Sequence, residues 1–166
     1  MKSNVRLFGH PVHSMLIVVP LGLFTGTIIF DLLFFATANP VWASTAFWTL
    51  AVGLIGGIIA APFGTLDWLA IPRGTRAKYV GFLHGVGNVI ALALFALSWM
   101  TRLENPVAAP SAAYLLSFAG MACSILAGWM GGELVTRLGV GVDPDAHVDA
   151  PPARESEEPP RKGIAA

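Results

Sequence analysis

Four unbroken apolar stretches recur along the chain, at residues 15–35, 43–63, 80–100 and 112–132. Each has about the 20 residues that a helix, rising roughly 1.5 Å per residue, needs to cross a bilayer core. The runs are continuous rather than alternating, which predicts helices and not barrel strands. Backbone groups in lipid must find partners within their own segment or a closed sheet. The connections are short and rich in turn formers: residues 36–42 hold Asn39 and Pro40, and residues 103–111 hold Asn105, Pro106 and Pro110. Short connections make neighbouring helices antiparallel. The expected fold is therefore all-α and integral to the membrane, an antiparallel four-helix transmembrane bundle over residues 1–142. Pro20 should bend the first helix, because it removes one ladder bond and crowds the preceding turn. Residues 143–166 hold Pro144, Pro151, Pro152, Pro159 and Pro160, with many acidic and few large apolar residues. That composition predicts a disordered cytoplasmic tail, with His147 inside it.

Charge then fixes an expected orientation. Lys2 and Arg6 precede the first span, Arg73, Arg76 and Lys78 fill the middle connection, and Arg137 follows the fourth span; Arg102 stands alone on the other side. Positive residues favour the cytoplasm, so both termini and the middle connection are expected there. Only 12% of the 166 residues are charged, about half the share usual in a soluble domain. Ten basic and ten acidic residues cancel, which excludes a basic nucleic-acid binder. The single cysteine, Cys123, excludes an intrachain disulfide framework, and its place in mid-span makes it an inert thiol. Residues 36–38 (Ala-Thr-Ala) imitate a signal-peptidase site, but the apolar run before them is too long, Asp31 interrupts it and Pro40 follows. Trp42, Trp48, Trp68 and Trp99 fall near the expected interfaces, as an aromatic belt would.

Small residues at four-residue spacing mark where helices can approach closely. Gly120, Ser124, Gly128 and Gly132 form the longest such stripe; Gly53, Gly57 and Ala61, then Gly22 and Gly26, then Gly81 and Gly85 form shorter ones. These predict packing within the bundle ahead of a homo-oligomer face.

Ionisable residues in or beside a span are costly and point to function or pairing. Asp31 lies toward the outer side, with Arg102 as its natural partner. His10, His13, Asp67, His84 and Glu133 all fall at the cytoplasmic end. Each helical hairpin opens on a histidine and closes on a carboxylate, His13 to Asp67 and His84 to Glu133, a regularity that a duplicated two-helix unit would leave. His84 and Asn88, four residues apart, share a helix face, so Asn88 can hydrogen-bond a ligand or orient a neighbour. Pro11 favours an extended path through His10.

Three chemistries are open to this set. His13 and His84 are placed to be the axial ligands of a b-type haem held between the first and third helices, with Arg6, Arg73 or Arg76 near its propionates. His10, His13, Asp67, His84 and Glu133 could instead supply three or four ligands to a bare zinc, iron or copper ion. In the third, the groups satisfy one another or handle a proton, with no cofactor. No phosphate loop, nucleophile elbow or HExxH points to an ordinary enzyme.

The opening Gly9-His10-Pro11-Val12-His13-Ser14-Met15-Leu16, followed by Pro20 and Phe30-Asp31, resembles a bacterial membrane family, domain of unknown function 2231. The resemblance continues in Gly64-Thr65-Leu66-Asp67-Trp68, in the His84-to-Asn88 spacing, and in Gly128-Trp129-Met130-Gly131-Gly132-Glu133-Leu134 before Val140-Gly141-Val142. It spans about residues 7–142. One departure is Ser14, where the family usually repeats a proline. The resemblance implies a four-span inner-membrane protein. Relatives are sometimes joined to Rieske-type iron–sulfur domains, which implies a redox partner and a haem or metal. It carries His10, His13, Asp67, His84 and Glu133 over as motif positions.

Overall fold

The computed structural model describes residues 1–150. An N-terminal hairpin pairs β1 (Arg6–Leu7) with β2 (His10–Pro11) in antiparallel register, Leu7 opposite His10. Its two-residue turn places Phe8 and Gly9 at φ 51° and 80°, the doubly positive geometry that suits a tight hairpin. Then come α1 (Val12–Leu16), α2 (Val18–Thr37), α3 (Pro40–Ala70), α4 (Arg76–Thr101) and α5 (Ser111–Thr136), with a 3₁₀ turn at Pro106–Ala108. Apart from the short hairpin the fold is helical. Four of its helical segments are long and apolar enough to cross a membrane: Val12–Thr37, Pro40–Ala70, Arg76–Thr101 and Ser111–Thr136.

The helices start and stop where local chemistry tells them to. Asn39 caps α3 by accepting the Val41 N–H at 3.1 Å, with Pro40 in the first turn, where its missing N–H costs nothing. Thr75 caps α4 by accepting the Lys78 N–H at 3.1 Å. The Lys78 ammonium in turn donates to the Trp68 and Leu69 carbonyls at the end of α3, at 2.7 and 3.3 Å, and lies over the Trp68 ring. This exchange ties the α3–α4 connection. The break between α1 and α2 falls at Ile17, one turn before Pro20, as expected of a proline that cannot bond the Leu16 carbonyl.

α3 is longer than its apolar run suggested. It continues past Phe63 through Gly64, Thr65 and Asp67, and Pro62 sits inside it. Asp67, expected after the helix, therefore stands in its last turn. Polar residues there end the apolar signal but leave helical hydrogen bonding intact.

α2 packs on α3 and α4 on α5, and the two hairpins meet through α3–α4 and α2–α5. At the centre Phe24 and Phe95 stack with centroids 4.0 Å apart and planes inclined by 13°, flanked by buried Leu50 and Leu54. The glycine stripes pack in part. A Cβ at Gly53 would collide with Phe24, one at Gly57 with Leu92, one at Gly81 with Trp68, and one at Gly120 would crowd Phe95. Gly22, Gly85, Gly128 and Gly132 face open space. The longest stripe is thus an interior contact only at its Gly120 end.

The N-terminus and the segment just after α5 meet at one end of the bundle. The Gly141 N–H donates to the Met1 carbonyl at 2.8 Å. Asp143, where the expected tail begins, pairs with Lys2 at 3.0 Å and Arg6 at 3.7 Å. The Lys2 hydrogen bond, with the Asp145 N–H and the Lys2 and Arg6 charges adding to it, holds this carboxyl below the usual carboxylate range. The expectation for residues 151–166 lies outside the described residues.

Candidate functional site

The two intramembrane histidines are held in the same way. His13, on α1, turns Nδ1 to the Ala60 carbonyl of α3 at 3.2 Å. His84, on α4, turns Nδ1 to the Ala127 carbonyl of α5 at 2.8 Å. A carbonyl oxygen only accepts, so in both rings Nδ1 carries the proton and the neutral imidazole keeps its lone pair on Nε2. The glycine four residues beyond each carbonyl makes the room. A Cβ at Gly64 would lie 2.7 Å from His13 Cε1, and one at Gly131 would lie 3.0 Å from His84 Cε1. Neither glycine belongs to the four-residue stripes, so their role was not visible in the spacing; a glycine one turn after the carbonyl that anchors a ring is the signal to look for.

Asn88 stays with His84 as its spacing implied. Its amide nitrogen donates to the His84 carbonyl at 2.9 Å and lies 3.2 Å from the ring Nε2, where it can donate to the lone pair. The position one turn beyond His13 is Ile17, so His13 has no such guard. Both imidazoles are half-buried.

The other three expected ligands are placed differently. Asp67 accepts the Ser3 hydroxyl at 2.7 Å and the Asn4 N–H at 3.0 Å, and so pins the N-terminal segment to the end of α3. Glu133 takes the Arg76 guanidinium at 2.6 Å, bridging α4 and α5, with Arg137 at 3.7 Å. His10 lies exposed on the terminal hairpin. Among the described residues no three His, Cys, Asp or Glu side chains come together as a metal-ion ligand set. The five residues therefore resolve into two anchored imidazoles, two carboxylates in structural contacts and one exposed histidine.

At the opposite end of the bundle Asp31 and Arg102 pair as their sequence positions suggested. The guanidinium meets the carboxylate through two bonds, Nη1 to Oδ1 at 2.6 Å and Nη2 to Oδ2 at 2.8 Å, and both residues are fully buried. Ser98 and Ser117 accept from Arg102 at 3.3 and 3.2 Å, and Tyr114 lies under the guanidinium at 4.8 Å. Each of the three guanidinium nitrogens of Arg102 faces an acceptor, which favours tolerance of a buried charge pair.

The family model described as "Predicted membrane protein (DUF2231)" matches residues 9–144 of this chain. No curated protein and no solved structure matches it.

Proposed function

We propose that this chain, which belongs to the DUF2231 family of predicted membrane proteins, holds a b-type haem through His13 and His84 and serves membrane redox chemistry as an electron-carrying accessory. The observation that carries the reading is the matched anchoring of the two rings. Metal-bound imidazoles characteristically give their second nitrogen to a carbonyl or carboxylate, which fixes tautomer and ring plane and leaves the other nitrogen to the metal. Here both rings are already so arranged. The donor set also fits: two imidazoles from separate helices, without a carboxylate, suit the two axial positions of a haem better than a three- or four-ligand cage. A bound haem would supply one-electron transfer.

The chain's own residues have distinct tasks in this reading. The Ala60 and Ala127 carbonyls orient the rings, Gly64 and Gly131 leave them space, and Asn88 yields the His84 Nε2 while keeping its bond to the His84 carbonyl. Arg73 and Arg76, at the same end of the bundle, would be the residues to meet the propionates, Arg76 by giving up its bond to Glu133. The proposed electron partner is a Rieske-type iron–sulfur protein. The proposed setting is the inner membrane with both termini cytoplasmic, supported by the Lys/Arg asymmetry of the connections.

The test is purification in mild detergent after expression with ample haem, followed by a visible spectrum and metal analysis. A Soret band with one haem per chain, lost in His13→Ala and in His84→Ala, is the expected result. Colourless protein that also fails to take up hemin on titration overturns the reading and leaves a cofactor-free structural or proton-handling module.

A further inference from the structure

We infer that the four helices are two copies of one two-helix unit, arranged about a local two-fold axis along the bundle, and that the imidazole site is shared, one ring from each copy. The equivalence runs through contacts, position by position. His13 and His84 stand 71 residues apart, as do Phe24 and Phe95, and Asp31 and Arg102. On the second helix of each unit the offset is 67: Gly53 with Gly120, Ala60 with Ala127, Gly64 with Gly131. Members of a pair perform the same act. Gly53 receives Phe24 as Gly120 receives Phe95, and the Ala60 carbonyl anchors His13 as that of Ala127 anchors His84.

Two of the pairs touch each other directly. Phe24 stacks on Phe95, and Asp31 bonds Arg102. Equivalent positions of two like units can meet only at the axis that relates them, so these contacts mark it at two depths. The histidine lies eleven residues before the phenylalanine in both helices, close to three full turns, and the Asp31 or Arg102 position lies seven after it, close to two. His13 and His84 therefore stand on the faces that line the axis. Both units also run in the same direction, because the histidine opens each. The relation is thus a parallel repeat, with its axis along the helices rather than across them.

At the outer end the repeat is broken by charge. An acid occupies the position in one copy and a base in the other, which makes the first unit complementary to the second and repulsive to another first unit. The surroundings are alike at two places and differ at a third: Thr27 stands where Ser98 stands and Phe47 where Tyr114 stands, while Leu50 takes the place of Ser117. An arginine moved to position 31 would therefore find a hydroxyl beside it and an aromatic face beneath it.

The experiment has two arms, the second of which rests on the proposed haem reading. In the first, Asp31→Arg and Arg102→Asp are made singly and together in the full chain and followed by detergent size-exclusion profile and melting temperature. Each single change, placing like charges on the axis, should lose the monodisperse folded peak, and the combined swap should restore it. A swap as damaging as the single changes, or single changes without effect, overturns the repeat. In the second, hemin is titrated into the parent, His13→Ala and His84→Ala proteins. One equivalent for the parent, no spectral response of its reduced form to carbon monoxide, and loss of stoichiometric uptake in both variants are expected; a variant that still takes up one equivalent with the parental spectrum overturns the shared site. A parent that binds two equivalents or binds carbon monoxide overturns the shared site. Failure of the parent to bind hemin sinks the haem reading and the sharing with it, while the swap still decides the repeat.

Discussion

At the residue scale, the positions that matter most here are two glycines and one arginine. Gly64→Ala or Gly131→Ala would drive a methyl into an imidazole ring held from behind by a carbonyl, and overpacking of this kind costs on the order of 1–3 kcal/mol. Both substitutions should lower the melting temperature in detergent and shift any haem spectrum. Gly128→Ala, facing open space, should leave stability within about 0.5 kcal/mol of the parent. Arg102→Ala leaves the Asp31 carboxylate buried without its partner. Its expected cost is about 3–5 kcal/mol, whereas the paired Asp31→Leu/Arg102→Met change should fall far closer to the parent. Thermal melts of the three proteins, run side by side, check the ordering.

The terminal clasp belongs to the scale of elements. Asp143 has its carboxyl lowered by Lys2, so the folded state favours the ionised form more than the unfolded chain does. The clasp is accordingly complete at neutral pH, and its contribution fades as the pH falls through that lowered value. The side-chain carboxyl shift of Asp143, followed by NMR in micelles, should titrate below the ordinary range and move back up in Lys2→Ala. These elements also show what the sequence could reveal. The four helices were readable because apolar length alone determines them. The ion pair was readable because two lone charges lay at one depth. The C-terminal extension of α3 was hidden, since a helix can leave the apolar layer without changing its hydrogen bonds. The carboxylates Asp67 and Glu133 were legible as a polar cluster, yet depth along a helix does not say which way a side chain turns. One went to the N-terminal segment and the other to Arg76.

For the whole molecule, the antiparallel order puts the N-terminus, the α3–α4 connection and the C-terminal end of α5 at one end of the bundle. With the Lys/Arg asymmetry, a reporter fused after Val142 should be active only in its cytoplasmic form, and one inserted after Asn105 only in its external form. Reporter fusions at both positions test the assignment together. If the proposed haem is held by histidines from both hairpins, its loading is tied to assembly, and hemin should raise the melting temperature of the parent and leave that of His13→Ala nearly unchanged.

The stacked Phe24 and Phe95, with Leu50 and Leu54 around them, lie between the imidazoles at one end and the Asp31–Arg102 pair at the other. This filled apolar layer keeps the two polar clusters on opposite sides of it, with no residue in common. Their energetics should therefore be independent, and the losses of melting temperature in Gly64→Ala and Arg102→Ala should simply add in the double variant.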